Sequence, residues 1–300
     1  MILCSLLFLC LLLFCPEAAL QGSKYGAALW LNELLPTLLP FFITLRLFRL
    51  CLPKVASHPA FLLLGILCGY PAGASLVADQ YQRGLLNRRR AYFYLGFVNN
   101  PSPMFILSFC CMTILHMTLP SSFLFFGCLL LSGLTGSFLF RCLMRRLPEK
   151  INSREKNQTQ SPDPSDRPEQ RKKIPLSRQL DAVILESFIL VTKIGGYVIL
   201  FSILGQFLCL FLSPSNISGI LCLSSMEITS GISYLRISFL SCGAKKVLTA
   251  SILAFGGLSA AAQTSSVLSQ SGLSIFPYVL NKIINAVLAG LLCYFLLDIL

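Results

Sequence analysis

The stretch ILCGYPAGASLV, residues 66–77, lies inside an apolar run and places Gly69, Tyr70, Pro71 and Gly73 where a membrane-crossing helix would carry leucine. The apolar arms on either side, 59–69 and 72–82, are each about 11 residues, roughly 16 Å of helix, or half of a hydrocarbon core. Two half-length arms joined at a Pro-Gly turn predict a re-entrant hairpin. Such a hairpin is tolerated at membrane depth only where its unpaired backbone groups are buried in protein or face water. Its tip is therefore a candidate site.

The rest of the chain fits that reading. Of 300 residues 55% are hydrophobic and only 12% charged, with 23 phenylalanines and a mean hydropathy of +0.74, the composition of an all-α polytopic membrane protein. At roughly 20 apolar residues per crossing, the runs would supply about six to eight spans. The lipid bilayer is the first partner implied. The net charge of +12 collects in loops between apolar runs without a basic stripe interleaved with aromatics, which argues against nucleic acid. The 13 cysteines lack the paired spacing of a zinc site or disulfide framework and read as small apolar fillers. His58 and His116 lie in different segments with no HExxH or CxxC partner, and no GxSxG elbow occurs. We expect no metal, no cofactor and no enzymatic activity.

Residues 1–14 have a signal-peptide-like apolar core but no basic n-region, so 1–25 is read as an uncleaved first span. In the run 26–50, Pro36 and Pro40 are placed to kink a helix or open a cavity beside it. After Arg83 and Arg88 to Arg90 comes a run from 91 to 118 interrupted by VNNPSPMF. There Pro101 and Pro103 delete backbone donors, and Asn99, Asn100 and Ser102 bring polar side chains to mid-run, which predicts a broken helix. Residues 121–143 read as a plain span and 144–178 as a disordered polar linker. A long helix over 181–212 follows. SSMEITSGISYL within 216–241 predicts a second hairpin, AFGGLSAAAQTSS within 247–270 a second broken helix, and 275–298 a last span.

An offset of 157 to 158 residues lays the second half on the first. LLPFFI (38–43) falls on GGYVIL (195–200), Ala72-Gly73 on Ser230-Gly231, and NNPS (99–102) on GGLS (256–259). The shared order of helix, hairpin, broken helix and plain helix predicts two repeats, 26–143 and 179–300. Three true crossings per repeat make the second copy inverted, which is transporter architecture. Arg46, Arg49, Lys54, Arg83 and Arg88 to Arg90 bracket the first hairpin on one face, and the segment from Arg141 to Arg178, with 11 basic and 5 acidic residues, returns to it. That face, with the 144–178 loop, is predicted to be cytoplasmic. Arg236, Lys245 and Lys246 would then lie outside.

LLPFF, GYPAGASLVADQYQRGLL, NNPSPMF, MEITSGI and FGGLSAAAQ, in this order, resemble the YlbJ-type sporulation integral membrane proteins of the Gate, or nucleoside-recognition, superfamily. The resemblance covers nearly the whole chain and is distantly shared with the concentrative nucleoside transporters. It implies an integral membrane transporter of endospore formation that passes dipicolinic acid, a small anionic substrate, across the forespore membrane, the outer one being the site implied. Partners would be a second copy of the chain or other sporulation membrane proteins. The acidic motif of the nucleoside transporters' first hairpin has no counterpart at GYPAG, which speaks against nucleosides and sodium coupling. A scaffold or channel component without transport of its own, and a nucleoside-type solute transporter, remain as alternatives.

Gly69, Tyr70, Pro71 and Gly73 either only shape a turn or form a cradle with Tyr70 stacked on a planar ligand. Asn99, Asn100 and Ser102 either satisfy backbone groups freed by the prolines or bind substrate. Glu227, an acid at a hairpin tip, is expensive in a membrane unless protonated, paired or capping a helix, and is a candidate for proton coupling or gating. Thr229, Gly231, Gly256, Gly257, Ser259 and Gln263 would form the matching half, although the glycines also suit close helix packing. Lys193 and Lys282 either snorkel to the interface or pair with Glu227 or substrate. Tips and breaks are further expected to present free helix N-termini to a carboxylate.

Overall fold

The computed structural model describes residues 2–51, 58–145, 176–213, 216–269 and 271–296, and among them there is no strand. The chain begins with α1 (Ile2–Phe14) and α2 (Pro16–Leu29), separated at Cys15 because Pro16 occupies the first turn of α2. With 13 residues, α1 is about 20 Å long and too short to cross a bilayer by itself. α2 instead continues through a π-helical stretch, Trp30–Leu34, into α3 (Leu35–Cys51). Together Pro16–Leu47 make one apolar stretch long enough to span, so the division at residue 25 falls inside a helix. Pro40 sits within α3 without ending it, and the π-helical stretch lies just before Pro36.

α4 (His58–Cys68) and α5 (Ala72–Gln82) form the first helical hairpin. α6 (Arg88–Val98), capped by the Asn87 side chain on Arg90 N, stops at Asn99, and a π-helix, Phe105–Ile114, resumes the run. α7 (Leu119–Arg145) and α8 (Leu176–Cys209) are long and apolar. α9 (Ile217–Met226) and α10 (Ile228–Ile237) form the second hairpin; α11 (Cys242–Phe255) and α12 (Gly257–Leu268) are two pieces of one run, and α13 (Ile275–Phe295) closes the fold. Most of the linker 144–178 lies outside the described residues.

Among the described residues five helical stretches are long and apolar enough to cross a membrane: Pro16–Leu47, Leu119–Met144, Arg178–Cys209, Cys242–Leu268 and Ile275–Phe295. That is fewer than the six to eight read from hydropathy, because α1, the hairpin arms and the π-helix are each too short by themselves. The protein is an all-helical integral membrane protein. α2 runs against α8 along a stripe of small residues, Ala18, Ala19, Gly22 and Gly26. The approach is close enough that a Cβ on Gly22 would stand 2.6 Å from Ile203 Cα, the packing mode that small residues permit between membrane helices. α13 packs on α11 and α7, and α6 on α7. Besides a small apolar cluster of α1, α2 and α8 around Phe207, two larger apolar cores result. One joins α3, the π-helix, α7, α8 and α10, and the other joins α5, α6 and α13.

Candidate functional site

The first hairpin turns at Gly69, Tyr70 and Pro71. Gly69 has φ +66°, and a Cβ there would stand 2.7 Å from Ser102 N, so the position needs glycine both for its backbone and for the approach of the first break. Tyr70 N donates to Asn100 O at 2.9 Å. Gly73 lies against Val98 O and Asn99, and Ala74 N, at the start of α5, donates to Asn99 Oδ1 at 3.1 Å. The first tip is thus sewn to the first break.

The second hairpin is built differently. Glu227 alone joins α9 to α10, in extended conformation (φ −148°, ψ 123°). Its carboxylate folds back to accept from Thr229 N at 2.9 Å and Ser230 N at 2.7 Å, a cap on the positive end of α10. Gly231 lets α10 close on Ser224 of α9. The second break is made by two consecutive left-handed glycines, Gly256 at φ +87° and Gly257 at φ +75°. A Cβ on Gly257 would lie 3.2 Å from Ser224 O, so this break too rests on its own hairpin.

Both hairpins and both breaks meet in one cavity of about 40 Å³. Tyr70 comes from the first tip, Pro101 and Ser102 from the first break, Glu227 and Thr229 from the second tip, and Gly256, Ser259 and Gln263 from the second break. Leu38 and Phe42 of α3 and Ile194 and Val198 of α8 complete the wall. The prolines of α3 therefore leave the helix continuous beside the cavity. Glu227, Thr229, Ser259 and Gln263 are buried, and Gln263 Oε1 has no hydrogen-bond partner among the described residues. Gln263 Nε2 reaches Ser259 Oγ at 3.4 Å. A cavity of this size has room for about two or three waters. It is polar along the Glu227 to Gln263 side and apolar along α3 and α8.

Other predicted residues support the cavity without lining it. Asn99 is fully buried and uses both ends of its amide, accepting from Ala74 N and donating to Thr264 Oγ1 at 2.9 Å and Tyr278 Oη at 3.0 Å. Asn100 donates to Phe97 O at 2.7 Å and accepts from Lys282 Nζ at 2.5 Å. Gly69, Pro71, Gly73 and Gly231 form the turns and close approaches. Several N-terminal amides expected to be free are occupied by the protein itself: Ala74 N by Asn99, Thr229 N and Ser230 N by Glu227, and Phe105 N by Ser102 Oγ at 3.3 Å. α12 starts at the cavity with no side-chain cap.

The two lysines separate cleanly. Lys193 is exposed on α8, whereas Lys282 is 1% exposed. Ion pairs among the described residues join Arg46 to Glu186 and Arg83 to Asp79, so neither lysine pairs with Glu227. Lys282 belongs to a polar stripe on α13 that the sequence reading passed over. Asn281 Nδ2 donates to Tyr92 O at 3.2 Å and Asn285 Nδ2 to Gly96 O at 3.1 Å, while Tyr278 accepts from Asn99. The signal was present as polar residues spaced three to four apart in an otherwise apolar span. Among the described residues no group of three His, Cys, Asp or Glu side chains is placed to hold a metal ion.

Two helical hairpins and two interrupted helices enclosing a shared buried cavity define a polytopic membrane protein with a candidate solute site at its centre. The chain is similar to the sporulation integral membrane protein YlbJ of Bacillus subtilis, with 25% identity over 318 aligned residues, 92% of this chain and 76% of that protein. No family model matches the chain, and no solved structure matches it.

Proposed function

We propose that this chain is a YlbJ-type membrane transporter acting in endospore formation, which moves a small organic anion, dipicolinic acid, across the forespore membrane. The observation that carries the reading is the central cavity, to which both tips and both breaks contribute. The similarity to a sporulation integral membrane protein supports the setting, and the resemblance to that family supplies the substrate. In this reading the hairpins are re-entrant, and 26–143 and 179–300 are inverted Gate-like repeats. Residues one repeat apart then face the same cavity, as Tyr70 does with Glu227 and Ser102 with Ser259. Substrate enters when the hairpins part, because a cavity of about 40 Å³ is too small for a dicarboxylated ring. Glu227 is the group whose charge answers to protons or to the arriving anion, and the chain performs no chemistry on its cargo.

The 144–178 loop is assigned to the cytoplasm. Single cysteines replacing Lys54, Arg90 and Gln160, in a background without reactive native thiols, should all react with an impermeant reagent from the same side; labelling of the Lys54 and Arg90 positions from opposite sides would remove the re-entrant first hairpin. Transport itself is tested by uptake of radiolabelled dipicolinate into proteoliposomes containing the purified protein. The tightness of the cavity favours a second reading, a membrane scaffold whose breaks are packing devices. Absence of uptake by well-folded protein would select it.

A further inference from the structure

Among the described residues the buried charged side chains are Glu227 and Lys282. Glu227 has its charge answered by two backbone amides. Lys282 does not. Its ammonium carries three donors, and the bond it makes runs to a neutral acceptor, Asn100 Oδ1, at 2.5 Å, with the ring of Tyr278 centred 5.7 Å away. An ammonium held out of water without an anion is costly, and in a membrane protein such a group marks a route for charge.

A second observation falls at the same place. Asn100 and Pro101 line a smaller cavity, together with Gly133 of α7, Leu253 of α11 and Asn285 of α13. Pro101 also lines the central cavity, so the first break is the partition between the two. Asn285 is fully buried, and its Oδ1 has no hydrogen-bond partner among the described residues. It lies one helical turn from Lys282 along α13. The first break thus has a buried, unpaired cation bonded to its polar residue and an unused acceptor beside it.

We propose that Lys282 is the charge-selecting residue of this protein: its ammonium, presented at the first break through Asn100, is the counter-charge that receives a carboxylate passing between the two cavities. The proposal rests on the transport reading and adds to it the group that distinguishes an anion from a neutral solute of the same shape. The carboxylate takes the place of Asn100 Oδ1 on the ammonium, and the donors that Lys282 leaves unused hold it. Asn285 Oδ1 provides an alternative acceptor when the anion leaves. Glu227 and Lys282 then give the site one ionisable group of each sign, the first bound to the α10 amides and the second to the first break.

Asn100→Asp, Lys282→Met and Lys282→Arg test this in the full-length protein. Equilibrium dialysis measures binding and proteoliposome uptake measures transport, each with dipicolinate and with the neutral pyridine-2,6-dicarboxamide. Asn100→Asp sets a permanent carboxylate against the ammonium. It should weaken dipicolinate binding at least about tenfold and abolish the preference for the dianion over the diamide, as should Lys282→Met, while Lys282→Arg should keep that preference. Folding is followed by monodispersity in detergent; if Lys282→Met does not fold, Asn100→Asp decides. Native-like dianion preference in either folded neutralising variant overturns the proposal. Native protein that takes up dipicolinate with no dependence on Asn100 or Lys282 overturns it and leaves the transport reading standing. Native protein whose dipicolinate binding depends on both residues but which shows no uptake overturns the transport reading and supports the anion site. No binding by native protein removes the anion site.

Discussion

The two interrupted helices occupy corresponding places around one cavity and are interrupted by opposite means. At the first, prolines remove donors and side chains repair the loss: Asn99 bonds Ala74 N, Thr264 and Tyr278, and Asn100 bonds Phe97 O and Lys282. At the second, Gly256 and Gly257 turn the chain through left-handed backbone with no side-chain cap. The first break is tied to α5, α12 and α13 by directed polar bonds. The second is held by contacts of backbone with Ser224, Met226 and Ile228. A polar junction of this kind loses stability in large steps, since each buried group left unpaired costs about 1–3 kcal/mol. A glycine junction loses it through backbone strain. The first break is therefore the more extensively hydrogen-bonded of the two.

The largest effect should come from Asn99→Leu. It strands Ala74 N and removes three hydrogen bonds at once, for a loss of about 3–5 kcal/mol. Yield of monodisperse protein and the thermal midpoint in detergent would show it, and a native-like midpoint would mean that the polar bonds at the first break are not what holds it. Next is Gly257→Ala, which combines positive φ with crowding against Ser224 O and should cost about 2 kcal/mol. Gly256→Ala meets no closer neighbour than 3.6 Å and should cost about 1 kcal/mol. Equal effects would show that backbone conformation alone governs the second break.

Glu227→Ala removes the cap on α10 and should cost about 1–2 kcal/mol, while Glu227→Gln keeps an acceptor and should cost under about 1 kcal/mol. The glutamine variant sharpens the comparison in another way. If Glu227 couples transport to protons, uptake by Glu227→Gln loses the pH dependence of the native protein; an unchanged pH profile would leave the residue only a cap. The smallest effect belongs to Lys193→Gln, on the exposed face of α8, which should shift stability by less than about 0.5 kcal/mol and leave uptake unchanged.

Much of the helix order was legible before any coordinates. Pro71 with Gly69, Pro101 with Pro103, and Gly256 with Gly257 each act on their own backbone, so their effect is read where they stand. Glu227 as a cap was equally local, because the amides it accepts from lie two and three residues on. Lys282 was singled out alone, but its stripe with Tyr278, Asn281 and Asn285 was not read, since the partners Tyr92, Gly96, Asn99 and Asn100 lie far back along the chain. Nor could hydropathy tell a full crossing from two half-length arms: α9 and α10 together equal a span in composition, and the turn at Glu227 divides them.

Composition and local chemistry alone establish a helical membrane protein with two interrupted helices and two short paired ones, because hydrophobicity, proline and glycine act through solvent and backbone at their own positions. Which lysine is buried and which tips share a cavity follow from packing between segments more than a hundred residues apart. Lys193 and Lys282 are chemically alike and both sit in apolar helices. One faces outward and the other is buried and bonded to Asn100 of the first break, and that difference belongs to the neighbours and not to the residue.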